Sequence, residues 1–126
     1  TFPAGKIEPD PAVLPGAGRS LEEWSDSIGL FARLAPAAQI VPVLVSGVFS
    51  PRSLGSPLAR LRHSQKDRER FAAMLQVAAP RRYPVQVKVT VGCPLPAGDL
   101  LTRGSSAGVK QAVVAAMREL LAVLPS

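Results

Sequence analysis

Apolar residues recur along this chain with two periods, and the switches between them divide it into elements. Val85, Val87, Val89 and Val91 alternate with Gln86, Lys88 and Thr90, the period-two signature of a strand with one buried and one wet face. The stretch QIVPVLVSG, residues 39–47, is apolar at both alternate positions, as in a strand covered on two faces. Pro42 within it cannot donate to a ladder, which puts it at an edge or a strand end. Helical spacing occurs three times. Ser20 with Glu23 three residues on forms a capping box, and Leu21, Trp24, Ile28, Phe31 and Leu34 follow on one face until Pro36. Residues 64–79, SQKDRERFAAMLQVAA, predict a helix with Phe71, Met74, Leu75 and Ala78 inward. Residues 105–124 predict a long closing helix with Ser105 or Ser106 as its cap. Between these elements, residues 3–20 and 93–104 read as loop, and 51–63 as a loop leading into a short helical turn. Helix, strand, helix, strand, helix is an α/β order.

Composition narrows the picture. At 126 residues the chain has room for one domain with a modest core. Its 47% hydrophobic content is that of a globular protein, and no repeat or low-complexity tract interrupts it. Thirteen prolines mostly mark element boundaries. The longest apolar stretch, APAAQIVPVLVSGVF, is cut by Gln39, Pro42 and Ser46 and falls short of the roughly 18 residues of a membrane span. No basic region followed by an apolar run opens the chain, so no signal peptide is read there. One cysteine and one histidine allow no internal disulfide and too few soft ligands for a structural zinc site. A reducing, cytoplasmic setting fits.

Charge is distributed unevenly. The formal net charge is +6, and residues 52–82 alone carry it: Arg52, Arg60, Arg62, Lys66, Arg68, Arg70, Arg81 and Arg82 face only Asp67 and Glu69. Such a segment is either a solvated face or the footprint of an anionic partner: phosphate headgroups, a phosphorylated cofactor, an acidic carrier protein or nucleic acid.

Few residues suggest chemistry by themselves. In Phe2-Pro3-Ala4-Gly5-Lys6 a proline fixes φ, a glycine permits positive φ and a lysine adds charge. These are the ingredients of an anion-binding turn and equally of any strand-to-loop exit. Ile7 stands where a P-loop needs Ser or Thr. The GAGRS stretch, residues 16–20, follows loop rather than strand and reads as flexible loop plus helix cap. His63 and Asp67, four apart, read as a surface pair rather than a general base and its orienter. Cys93 reads as partly buried packing, and Trp24 and Phe31 as core.

Taken in order, however, several stretches resemble the second half of the glycerolipid (lysophospholipid) acyltransferase domain. That family has a Phe-Pro-Glu-Gly turn as its third block and a short apolar segment ending in Val-Pro-Val as its fourth. Phe2-Pro3-Ala4-Gly5 is similar to the third and Ile40-Val41-Pro42-Val43 to the fourth, with a Trp-containing helix between them. VSGVFSPRS and VQVKVTVGCPLPAGDL resemble the loop and the later strand and turn of such enzymes, so the likeness spans nearly the whole chain.

The resemblance implies the C-terminal part of an α/β fold, a mixed sheet flanked by helices, with residues 1–126 as a single partial domain. It implies an enzyme of phospholipid biosynthesis that moves a fatty acyl group from acyl-CoA or acyl carrier protein to a lyso-lipid or related hydroxyl. No cofactor is implied beyond that donor substrate, and no metal. Phe2, Pro3, Gly5 and Lys6 would shape the acceptor or phosphate pocket, and Val41, Pro42 and Val43 the floor near the donor. The basic segment 52–82 would face an anionic membrane surface from the cytoplasmic side, or dock the acidic carrier.

The departures are specific. The family's catalytic His and Asp, separated by four residues, precede the third block and have no counterpart here. His63 and Asp67 have three residues between them and fall after the fourth block. No catalytic residue is therefore assigned, and the chain is expected to be a fragment inactive alone, with its catalytic half upstream. Ala4 replaces the usual Glu, and Lys6-Ile7 the usual Thr-Arg, which weakens the case for a glycerol-phosphate acceptor. The other reading is a non-catalytic basic α/β module binding nucleic acid or another polyanion. Few aromatics accompany the cations, so nucleic acid is the less favoured partner.

Overall fold

The longest helix is set by its own sequence: Val109, Val113, Val114 and Met117 repeat on one face of α7 (Ser106–Ala122), and all four are buried. This face receives α2 (Ser27–Leu34) through Ile28, Gly29 and Ala32. A Cβ on Gly29 would lie 2.5 Å from the Ser106 carbonyl oxygen, so the close crossing of the two helices requires glycine there. The computed structural model describes residues 4–5, 8–61 and 63–124.

Ahead of α2, a helical turn α1 (Ala17–Ser20) runs into a 3-10 turn, Leu21–Glu23, and the chain becomes extended at Trp24. The single capped helix expected from Ser20 onward is thus broken in two. The Ser20 hydroxyl is not a cap: its one proton serves Glu8 Oε1 at 2.8 Å or the Ala17 carbonyl at 2.7 Å. Leu21, Trp24 and Ile28 are core as expected, whereas Phe31 and Leu34 are exposed and the smaller Ala32 takes the inner position.

Four short strands follow in two antiparallel pairs. β1 (Gln39–Ile40) pairs with β4 (Leu95–Pro96), and β2 (Val43–Ser46) with β3 (Lys88–Val91). The architecture is broadly α/β, and among the described residues every strand pairing is antiparallel rather than mixed. Between β2 and β3 lie α3 (Pro51–Leu54), α4 (Pro57–Arg60) and α5 (Gln65–Ala78). The first two begin on proline, whose missing N–H costs nothing at a helix start. Ser64 caps α5, its hydroxyl oxygen accepting the Asp67 N–H at 3.1 Å. Residues 93–104, expected as loop, instead form β4 and α6 (Ala97–Arg103).

The main core is chiefly helical. Leu21, Trp24, Ile28, Ala32, Ala97 and the α7 residues form it, and β2 contributes the buried Leu44. The parity of the ribbon is the largest difference from expectation. Leu44 and Ser46 point inward, while Val43 and Val45 are exposed together with Val85, Val87, Val89 and Val91. The valine face is therefore the open one, and neither strand is covered on both sides. α5 differs too: Ala72 is buried, Phe71 and Leu75 are half-buried, and Met74 and Ala78 are exposed. Cys93 is exposed as well.

Candidate functional site

The N-terminal loop is fastened by two carboxylates. Asp10 is 3% exposed and accepts three backbone N–H groups: Ala12 at 3.0 Å, Gly47 at 2.9 Å and Phe49 at 3.0 Å. The first closes a local Asx turn, and the other two tie the loop to the exit of β2. Gly47 turns there with φ +72, and a Cβ would collide with the Gln86 carbonyl. Glu8 Oε1 accepts the Trp24 indole N–H at 2.7 Å and stands beside the Ser20 hydroxyl. Neither carboxylate was singled out from sequence. The stretch read only as loop, and partners 37 and 39 residues from Asp10 carry no local signal.

This fastening leaves a groove of about 1050 Å³ along the free side of β2. Its wall is the segment 40–45, its floor Trp24, Ile28, Val113 and Met117, and its polar end Gly5 with residues 8–11. The Gly92 N–H donates to the Pro42 carbonyl at 2.8 Å, which fixes the alternation of the ladder. Even-numbered residues of β2 thus bond toward β3, and the backbone groups of Val43 and Val45 point the other way. Gly47 continues that outward row, and Asp10 takes its N–H. Among the described residues β2 pairs with β3 alone.

Of the residues assigned from sequence, Gly5, Val41, Pro42 and Val43 all border this one groove. Gly5 is exposed with φ +62, a conformation for which glycine is suited. Pro42 is buried, and Val41 and Val43 are exposed. Phe2, Pro3 and Lys6 lie outside the described residues. No family model matches the chain, and no curated protein or solved structure matches it at a significant level.

Other candidate groups are not assembled into a site. His63 is exposed and precedes α5, and Asp67 is engaged by the Ser64 hydroxyl at 2.8 Å and by Arg70 at 3.9 Å. Among the described residues no three His, Cys, Asp or Glu side chains are grouped so as to hold a metal. No described helix is long and apolar enough to cross a membrane. The basic segment is spread over α3, α4, α5 and the following turn. Arg52, Arg60, Lys66, Arg68, Arg70, Arg81 and Arg82 are all exposed, and Arg62 lies outside the described residues.

Proposed function

We propose that this chain is the acceptor-side part of a glycerolipid-type acyltransferase domain, and that the groove beside β2 holds the fatty acyl chain. The observation that carries the reading is the convergence of two separate stretches on one cavity. The Gly5 turn and the Val41-Pro42-Val43 strand entry border the same apolar groove, as a pocket built from the family's third and fourth blocks requires. The volume also suits the role, because ligand clefts run from about 300 to 1,000 Å³.

The chemistry of the lining favours an amphipathic ligand. Apolar side chains make up most of it, and the polar atoms gather at one end around Glu8 and Asp10. An acyl chain would lie against Ile28, Ile40 and Met117. A hydroxyl on the acceptor would meet Glu8, one of whose oxygens is already oriented by the Trp24 indole. Such orientation fixes the carboxylate without consuming its second oxygen.

Catalysis needs more than these walls. Transfer from a thioester requires a base to take the proton of the attacking hydroxyl, and no histidine faces the groove among the described residues. The reading therefore assigns the base to a polypeptide segment outside this chain. The outward backbone groups of Val43 and Val45 and the open valine face are consistent with packing against such a segment.

Trp24 makes the proposal testable, because it is the chain's single tryptophan and lines the groove. Lysophosphatidate carrying a nitroxide in the middle of its acyl chain should quench Trp24 emission saturably, and unlabelled lysophosphatidate should reverse it. Saturable lipid binding with no change in Trp24 emission would place the lipid elsewhere and overturn the assignment.

A further inference from the structure

A second apolar surface lies away from the groove, on the outer side of α5. The inner side of that helix is fixed by Ala72, which is buried, and by Gln76. The Gln76 side-chain oxygen accepts the Ser50 N–H and the Ser53 hydroxyl, both at 2.8 Å, and its amide donates to the Val48 carbonyl at 3.1 Å. Lys66, Arg70, Met74 and Val77 follow one another at helical spacing on the opposite stripe. Val77 is 84% exposed and Met74 56%. The turn after the helix adds Arg81 and Arg82, the latter with its guanidinium 5.9 Å from the Tyr83 ring centre.

The charge along this stripe is one-sided where the apolar residues are. Asp67 sits at the amino-terminal end, within 3.9 Å of Arg70, but from Met74 to Tyr83 the sequence contains no acidic residue. Val77 lies one helical turn from Met74, so the two exposed apolar tips are neighbours on the helix. A single-strand-binding surface would set several stacking aromatics among its cations, whereas in the segment 74–83 Tyr83 is the one aromatic, beside the aliphatic Met74 and Val77. Aliphatic tips with exposed arginines before and after them along the chain complement an anionic bilayer: the tips enter the acyl boundary, and the long cationic side chains reach the phosphates.

We infer that the carboxy-terminal half of α5 and its following turn, Met74 to Tyr83, form a docking surface for an anionic lipid bilayer, with Met74 and Val77 as the inserting residues. This surface is separate from the groove, so it stands or falls independently of the acyl-chain assignment.

The test is co-sedimentation of the chain with vesicles of phosphatidylcholine alone and of equal parts phosphatidylcholine and phosphatidylglycerol. Binding should require the anionic lipid. Arg81→Ala with Arg82→Ala should weaken it by roughly twentyfold. Met74→Ser with Val77→Ser should weaken it by about tenfold and remove the binding that persists at high salt. These four side chains are exposed, and the folding of each variant is checked by circular dichroism. As a second measurement, Cys93→Ser with Val77→Cys places an environment-sensitive fluorophore at the predicted tip, and its emission should rise and shift blue on anionic vesicles. Three results would overturn the proposal: equal binding to neutral vesicles, no change at the labelled tip, or binding to a random DNA duplex but not to vesicles at matched salt.

Discussion

The two sides of β2 are both apolar and differ in shape. On its free edge the strand borders a concave groove with Trp24, Ile28 and Met117 beneath and two carboxylates at one end. On its outer face Val43 and Val45 join Val89 and Val91 of β3 in a surface where the last two are 58% and 62% exposed. The groove is concave and has polar side chains at one end. The valine face is borne on a pleated ribbon whose polar backbone groups lie in the sheet plane, so it suits the flat packing of another polypeptide layer. Apolarity alone does not distinguish the two surfaces; concavity with a polar end does.

The comparison can be broken most forcefully at the carboxylate that holds the groove's wall. Asp10→Ala strips three backbone N–H groups of their acceptor in a buried place and should cost about 3 to 5 kcal/mol in urea unfolding, with lipid binding lost in parallel. Met117→Ala opens a cavity beneath the groove and should cost about 3 kcal/mol. A loss under 1 kcal/mol at Met117 would mean that the floor is not packed as described.

Subtler substitutions separate the groove's polar end from its apolar floor. Trp24→Phe keeps most of the ring but removes the donor to Glu8, and should destabilise by about 1 to 2 kcal/mol. Val89→Thr, on the open face, should stay within about 0.5 kcal/mol of the parent and leave lysophosphatidate affinity unchanged. A large loss at Val89 would show that the valine face is covered in the folded chain, and the contrast between the two surfaces would disappear.

What could be read from the sequence follows from where its information is local. The helices over 64–79 and 105–124 are determined by near neighbours and were legible, whereas α3, which begins on a proline, was expected as loop. The valine alternation of 85–91 predicted a two-faced strand but carried no information on which face another element would cover. α7 reaches the ribbon through Leu44, so the valines fall on the other side. Ser20 and Glu23 matched a capping box, yet Glu8 claims the environment of the Ser20 hydroxyl from twelve residues upstream. Phe31 and Met74 suited helical core positions by spacing, but the close crossing of α2 on α7 requires glycine at position 29, and on α5 the small Ala72 takes the buried position. Gly5 and Pro42 border the groove, and neither residue's sequence neighbours announced it. Its carboxylates were hidden in a proline-rich loop.

The most direct test of the groove as a lipid site is a set of intermolecular contacts measured by NMR on methyl-labelled protein with lysophosphatidate bound. Nuclear Overhauser effects should connect the acyl chain to the methyl groups of Ile28, Ile40 and Met117, and none should reach Val89 or Val91. Contacts confined to Val89 and Val91, with the Ile28 and Met117 methyls unperturbed, would contradict the account.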